Sequence, residues 1–265
     1  MTSTHTITLP NVGAVELQFN ERGDGDPYLV LHGGAGPLSV AGFADLFAER
    51  QRARVITPTH PGFAGTVRPD GLRATGQLAE LYAALLNDLD LIGVTVLGNS
   101  VGGWIAAEMA IAGSTRLKSA ILVDAVGIEV PDHPVADFFS LTLDQVAEYS
   151  YYDPEKFRID PAKMPPAQLA AMPGNRAALA VYGGGASMVD PTLRDRLAAV
   201  DLPVLVLWGE SDRIVDPEYG RAYAEAIPGA RFELLPGTGH VPQVETPELL
   251  ISRISAFVDS LADKG

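Results

Sequence analysis

Two kinds of apolar run alternate along this chain. Near the N-terminus, "HTITLP" and "AVELQFN" set apolar and polar residues in turn, the period-two pattern of half-buried strands. Further on, "YLVLHG", "ARVITP", "VTVLG", "AILVD", "PVLVLWG" and "RFELLPG" are short runs of β-branched residues and leucine, each closed by turn residues. Continuous apolar strands of this kind belong in a sheet covered on both faces. Between them the spacing becomes helical. Leu78, Leu81, Tyr82, Leu85, Leu86 and Leu89 recur on one face, and Trp104 to Ala112 reads as a buried helix. The last helix opens with Thr246 as cap, Pro247 at the first helical position and Glu248 at the positive end of the dipole; Asp216, Pro217 and Glu218 repeat that grammar. Strands alternating with helices predict an α/β fold, with a mainly parallel sheet, right-handed crossovers and an antiparallel pair at the N-terminus.

The alternation stops between Gly127 and Leu197. No strand pattern occurs there, prolines recur from Pro131 to Pro191, and "TLDQVAEYSYY" opens with a capping-box pattern, Thr142 with Gln145. The prediction is a helical cap over 127–197, inserted into a core made of 1–126 and 198–265. Phe138, Phe139, Tyr149, Tyr151, Tyr152, Phe157 and Tyr182 lie in the insertion with Met164, Met172 and Met188. Such side chains line apolar pockets, but most of them are expected simply to pack the insertion onto the body.

Composition narrows the functional classes. A chain of 265 residues, 47% hydrophobic and 20% charged, can bury one large core with an inserted subdomain. Its formal charge of −14 lacks the excess of Lys and Arg that nucleic acid or an anionic membrane requires, so neither is an expected partner. With no cysteine there is no disulfide framework, thiolate metal site or cysteine nucleophile, which fits a reducing, cytoplasmic setting. No apolar run approaches the roughly 18 residues of a membrane span, and "MTSTHTITLPN" has neither the basic nor the apolar segment of a signal peptide. The expected partner is a small-molecule substrate; the oligomeric state stays open, a homodimer included.

Candidate chemistry centres on "VTVLGNSVGGW". Gly98-Asn99-Ser100-Val101-Gly102 fits G-x-S-x-G, in which a sharp turn from strand to helix exposes a strained serine. A chain this rich in glycine would carry the bare pattern by chance about once in ten. Here a strand pattern ends just before it and a helix begins just after it, as the motif requires. The competing interpretation is a serine that only caps the helix. A nucleophilic serine needs a base, and the base an acid. His240, in "LLPGTGHVPQVETPE", lies on a loop after a strand, where glycines let it project over the sheet edge; His5, His60 and His133 lack that framing. Asp212, in "PVLVLWGESDRIVDP", follows another buried strand, with Glu210 and Asp216 on the same loop and Asp124 after "AILVD" as alternatives. The turn "LHGGAGP" suits an oxyanion hole built from the Gly34 and Val101 N–H groups, with Ala35 close behind. A phosphate loop is the rival use of this turn, but the lysine and hydroxyl of that motif are absent.

These residues resemble the α/β-hydrolase superfamily over nearly the whole chain. "LHGGAGP", "PTHPGFAGT", "VLGNSVGGW", "LVLWGESDRIV" and "GTGHVPQVETPE" stand in the family's order and at ordinary spacings. The resemblance implies a mostly parallel eight-stranded sheet with helices on both faces, a helical cap after the sixth strand, the triad Ser100, Asp212 and His240, and no cofactor. His60 stands where relatives often carry an acid, and Ala64 interrupts the neighbouring glycine motif, which bears on that loop's role in the pocket. Serine at position 100 disfavours the branches with an aspartate nucleophile. The expected activity is hydrolysis of a small or medium, largely apolar ester through an acyl-enzyme. "GNSVGG" also looks like the elbow of carbon–carbon bond hydrolases of ring-cleavage-type dienol-keto acids, although the tryptophan common after their histidine is missing from "HVPQV". A slowly hydrolysing ligand receptor is the third alternative.

Overall fold

The computed structural model describes residues 2–262. Eight strands, β1 (Thr2–Leu9), β2 (Gly13–Arg22), β3 (Asp26–Leu31), β4 (Ala53–Pro58), β5 (Val94–Asn99), β6 (Leu117–Val123), β7 (Val204–Gly209) and β8 (Arg231–Leu235), form one sheet in the order β1-β2-β4-β3-β5-β6-β7-β8. β2 runs antiparallel to both β1 and β4, and every other neighbouring pair is parallel. The half-buried alternation of β1 and β2 fits their place at the edge, whereas β5 and β7 are buried throughout.

Successive residues of the central strands feed two cores, as the period of two demands. Val30, Leu97, Ile121, Val123, Leu205 and Leu207 meet α1 (Leu38–Gln51), through Val40, Phe43 and Phe47, on one face. Leu29, Leu31, Val96, Leu122, Val206 and Trp208 meet α2 (Thr75–Asp88) and α3 (Val101–Ile111) on the other. Between β6 and β7 come α4 (Leu143–Ser150), α5 (Pro154–Phe157), α6 (Pro166–Tyr182) and α7 (Leu193–Arg196). An isolated bridge between Gly127 and Val189 is the one strand-like pairing there among the described residues. The capping box at Thr142 is present, with its hydroxyl accepting from the Gln145 N–H and Gln145 reaching back. After β7 and β8 follow α8 (Pro217–Glu225), α9 (Pro242–Glu245) and α10 (Pro247–Ala262); α10 completes the first core with Leu250, Ile254 and Phe257. Asp216 caps α8 by accepting from the Glu218 and Tyr219 N–H groups. Among the described residues no helix is long and apolar enough to cross a membrane.

The strand order reverses at β3, whose neighbours β4 and β5 both follow it in the chain. In an open parallel sheet the crevice at such a switch point, beyond the carboxyl ends of the strands, is where ligands bind. The loops after β3, β5, β6, β7 and β8 carry His32–Gly36, Ser100, Asp124, Asp212 and His240.

Candidate active site

Ser100 stands between the last residue of β5 and the first of α3 with φ 57° and ψ −121°, a backbone conformation a serine adopts only at a cost of about 1–3 kcal/mol. Its neighbours hold it there. The Ser100 N–H donates to the Val123 carbonyl at 2.9 Å, and the Ser100 carbonyl accepts from Trp104 N–H at 3.1 Å. The glycines of the motif are needed for close approach. A Cβ on Gly98 would lie 2.0 Å from the Gly102 carbonyl oxygen, and one on Gly102 would lie 2.4 Å from that of Leu31. The side chain of Ser100 makes no capping hydrogen bond to α3, which removes the helix-cap alternative.

His240 and Asp212 are brought together. His240 Nδ1 lies 2.7 Å from Asp212 Oδ2, while Asp212 Oδ1 accepts from the N–H groups of Ile214 at 2.8 Å and Val215 at 3.1 Å. These donors stabilise an ionised Asp212, so the histidine carries its proton on Nδ1 and leaves Nε2 free to accept. The other candidate acids are elsewhere. Asp216 caps α8 and pairs with His133 at 2.7 Å, and Glu210 is exposed. Asp124 is fully buried beside the pair, where its Oδ1 accepts from Gly209 N–H at 2.7 Å. Ligand atoms of Asp124, Asp212 and His240 lie within 4.8 Å of one another, a spacing a metal ion also needs, but the His240 to Asp212 hydrogen bond already uses the two atoms best placed for one.

The turn after β3 passes directly over the serine. A Cβ on Gly33 would sit 3.1 Å from Ser100 Cβ, and one on Gly34 would sit 2.7 Å from Leu179 Cδ2 on α6. Among the described residues the Gly34, Ala35 and Val101 N–H groups donate to no other protein group. Uncommitted N–H donors beside a serine hydroxyl are what an oxyanion hole requires.

The loop containing His60 proves to be a foundation for that turn. His60 N–H donates to His32 Nε2 at 3.1 Å, and His60 Nε2–H returns a bond to the His32 carbonyl at 2.8 Å. His32 Nδ1–H donates to the Gly33 carbonyl at 2.8 Å, and Tyr82 OH donates to His60 Nδ1. Burial holds both rings neutral; it lowers His60 from its usual value to about 4 and His32 well below its own, aided there by proximity to His60.

Several residues with a structural part in the site were not singled out from the sequence. Asn99 donates to the His240 carbonyl at 2.9 Å and accepts from Gln243 Nε2 at 3.0 Å, tying the elbow to the histidine loop. Glu245 joins that loop to the insertion, for it accepts from Gly239 N–H at 2.6 Å and from the Tyr152 and Asp153 N–H groups at 2.7 and 3.0 Å. All three lie inside the motifs quoted above, but their partners, backbone groups and in one case a side chain 144 positions away, are announced by no local pattern. The aromatic residues of the insertion divide. Tyr182 is buried with its OH on the Pro61 carbonyl, Tyr151 stacks on Phe157, Phe138 and Phe139 flank Arg176, and Tyr152 is exposed.

Residues 28–253 match the family model described as the alpha/beta hydrolase family, and the chain belongs to that family. It is similar to the 2-hydroxy-6-oxo-2,4-heptadienoate hydrolase of Pseudomonas putida, at 28% identity with 93% of this chain and 94% of that protein covered. It is also similar to lipase 3 of a Moraxella species, at 25% identity with 97% and 84% covered. Among solved structures, a thermophilic esterase from Thermogutta terrifontis superimposes with a TM-score of 0.77 at 28% identity, covering 98% of this chain and 99% of the other. The protein is thus an α/β-hydrolase.

Proposed function

We propose that this hydrolase cleaves small or medium-sized, largely apolar esters through an acyl-enzyme on Ser100. His240 Nε2 takes the hydroxyl proton as Oγ attacks the ester carbonyl, and the oxyanion is held by the N–H groups of Gly34 and Val101. Asp212 fixes the ring and stabilises the imidazolium. The intermediate collapses as His240 protonates the leaving alcohol, and a water deprotonated by the same nitrogen then releases the acid. The observation that carries this proposal is the pair of uncommitted N–H groups flanking a strained serine. Support for an uncharged substrate comes from the cations nearby. Arg176 spends its guanidinium on the Phe138 and Phe139 carbonyls, and Arg68 on those of Pro69 and Leu72. Turnover of a panel of aryl esters tests the proposal: Ser100→Ala should lower it by at least about 10³, because a triad acts as a unit, and retention of wild-type turnover would refute it.

One observation favours a second activity, cleavage of a carbon–carbon bond in a dienol-keto acid, namely the 28% identity to the heptadienoate hydrolase. Against it, Val241 follows His240 where such enzymes commonly carry tryptophan nearby. Rapid turnover of a dienol-keto acid with negligible esterase activity would select it.

A further inference from the structure

Asp124 is a buried titratable group that the mechanism above does not use. It follows β6 with φ 46°, a left-handed conformation uncommon for aspartate, and is shut off from solvent. Its Oδ1 has the Gly209 N–H; its Oδ2 has no hydrogen-bond partner among the described residues. The titratable groups facing it are Asp212 on the loop after β7, and His240 and Glu245 from the loop after β8 and α9. No cation is among them. Two carboxylates buried this close cannot both be charged. Asp212 holds two N–H donors and the histidine proton, so it keeps the charge, and the shared proton resides on Asp124. Burial first, and the charge of Asp212 second, push Asp124 well above the ordinary carboxylate range, with the Gly209 N–H pulling the other way. A proton on Oδ2 also resolves the unpartnered atom, because the hydroxyl so formed donates to Asp212.

We propose that Asp124 is a second acid of the triad: a neutral carboxyl that braces Asp212 by hydrogen bonding and supplies the negative charge for His240 when Asp212 cannot. This rests on the Ser100, Asp212 and His240 mechanism proposed above. The same 4.8 Å cluster that brings Asp124 to Asp212 brings it to His240. Neutralising Asp212 removes the repulsion that adds to burial in keeping Asp124 protonated, so the remaining carboxyl ionises more readily as pH rises.

The test compares wild type, Asp212→Asn, Asp124→Asn and the double variant in hydrolysis of 4-nitrophenyl butyrate from pH 6 to 9, with Ser100→Ala and His240→Ala as blanks. Asparagine preserves shape and can still accept from Gly209 N–H. Asp212→Asn should lower kcat by about 10², well short of the roughly 10⁴ lost when a triad has no other acid. Adding Asp124→Asn should remove at least another factor of ten. The ratio of the two rates should climb with pH, a dependence that a merely structural role of Asp124 would not produce. A double variant equal to Asp212→Asn at every pH, with both blanks inactive, overturns the proposal. Retained turnover in either blank refutes the triad mechanism instead. Infrared spectroscopy gives a second measurement that needs no double variant. Wild type minus Asp124→Asn at neutral pH should show the C=O stretch of a protonated carboxyl, and its absence would equally overturn the proposal.

Discussion

His60 and His32 lie ring against ring beneath the Gly33–Gly36 turn, with centroids 3.7 Å apart, and each ring donates through one nitrogen and accepts through the other, as only a neutral imidazole can. A proton on either ring must break one of these bonds inside the core. The folded His60 titrates near 4, whereas in the unfolded chain it titrates near 6.5. The unfolded state therefore takes up protons first, and stability is full above pH 6.5 and declines as the pH falls towards 4. The shift corresponds to about 3 kcal/mol, with His32 adding in the same direction. Urea unfolding at pH 7 and pH 4 should show a loss of at least that size, and His60→Gln, though less stable at pH 7, should lose less between the two. The sequence marked His60 as a departure from the family pattern without revealing its purpose. Its hydroxyl partner, Tyr82, reads in the sequence only as one more apolar position on the face of α2, because periodicity reports burial and is silent about a phenol oxygen.

The turn from β5 to α3 shows at the level of elements why the motif needs glycine. Gly102 packs against the end of β3, and a methyl group there would strike the Leu31 and His32 carbonyl oxygens at 2.4 and 2.7 Å. Gly42, exposed in the middle of α1, has nothing within 4 Å of the same position. Gly102→Ala should destabilise by about 2 kcal/mol or more, while Gly42→Ala should stabilise by about 0.5–1 kcal/mol; thermal unfolding of the two variants checks both signs. A different kind of link joins the insertion to the histidine loop, where Glu245 gathers three N–H groups from the two segments. Glu245→Ala frees those donors and should lower kcat for a short-chain aryl ester about tenfold with little change in overall fold, as positioning losses of this kind do; steady-state kinetics with circular dichroism checks it. The strands and the helices α2, α3, α8 and α10 were legible because apolar periodicity, cap residues and G-x-S-x-G are local signals, whereas α1 and α6 were not singled out. The one-turn helix α9 was not, since Pro242–Glu245 is too short to show a period and reads as loop.

Across the whole molecule the sheet does two jobs with alternate residues: one face seats α1 and α10, the other seats α2, α3 and α8, and the loops at the strand ends carry Ser100, Asp212 and His240. The insertion is fastened to that frame at several places. Arg196 at the end of α7 pairs bidentately with Glu108 on α3 and also with Asp190, His240 N–H donates to the Ser150 carbonyl, and Ala64 N–H donates to Asn175. None of these long-range pairs has a sequence signature, so an insertion could be foreseen while its seating on the site could not. That seating places Leu179 against Gly34 in the turn after β3. The central claim is that Ser100 carries an acyl group during turnover. Its most direct test is acid quenching during hydrolysis of a panel of aryl esters, followed by intact mass and peptide mapping. The expected result is one added acyl group, located on Ser100 and absent from Ser100→Ala. Turnover with no adduct on any ester, or the same adduct on Ser100→Ala, would contradict it.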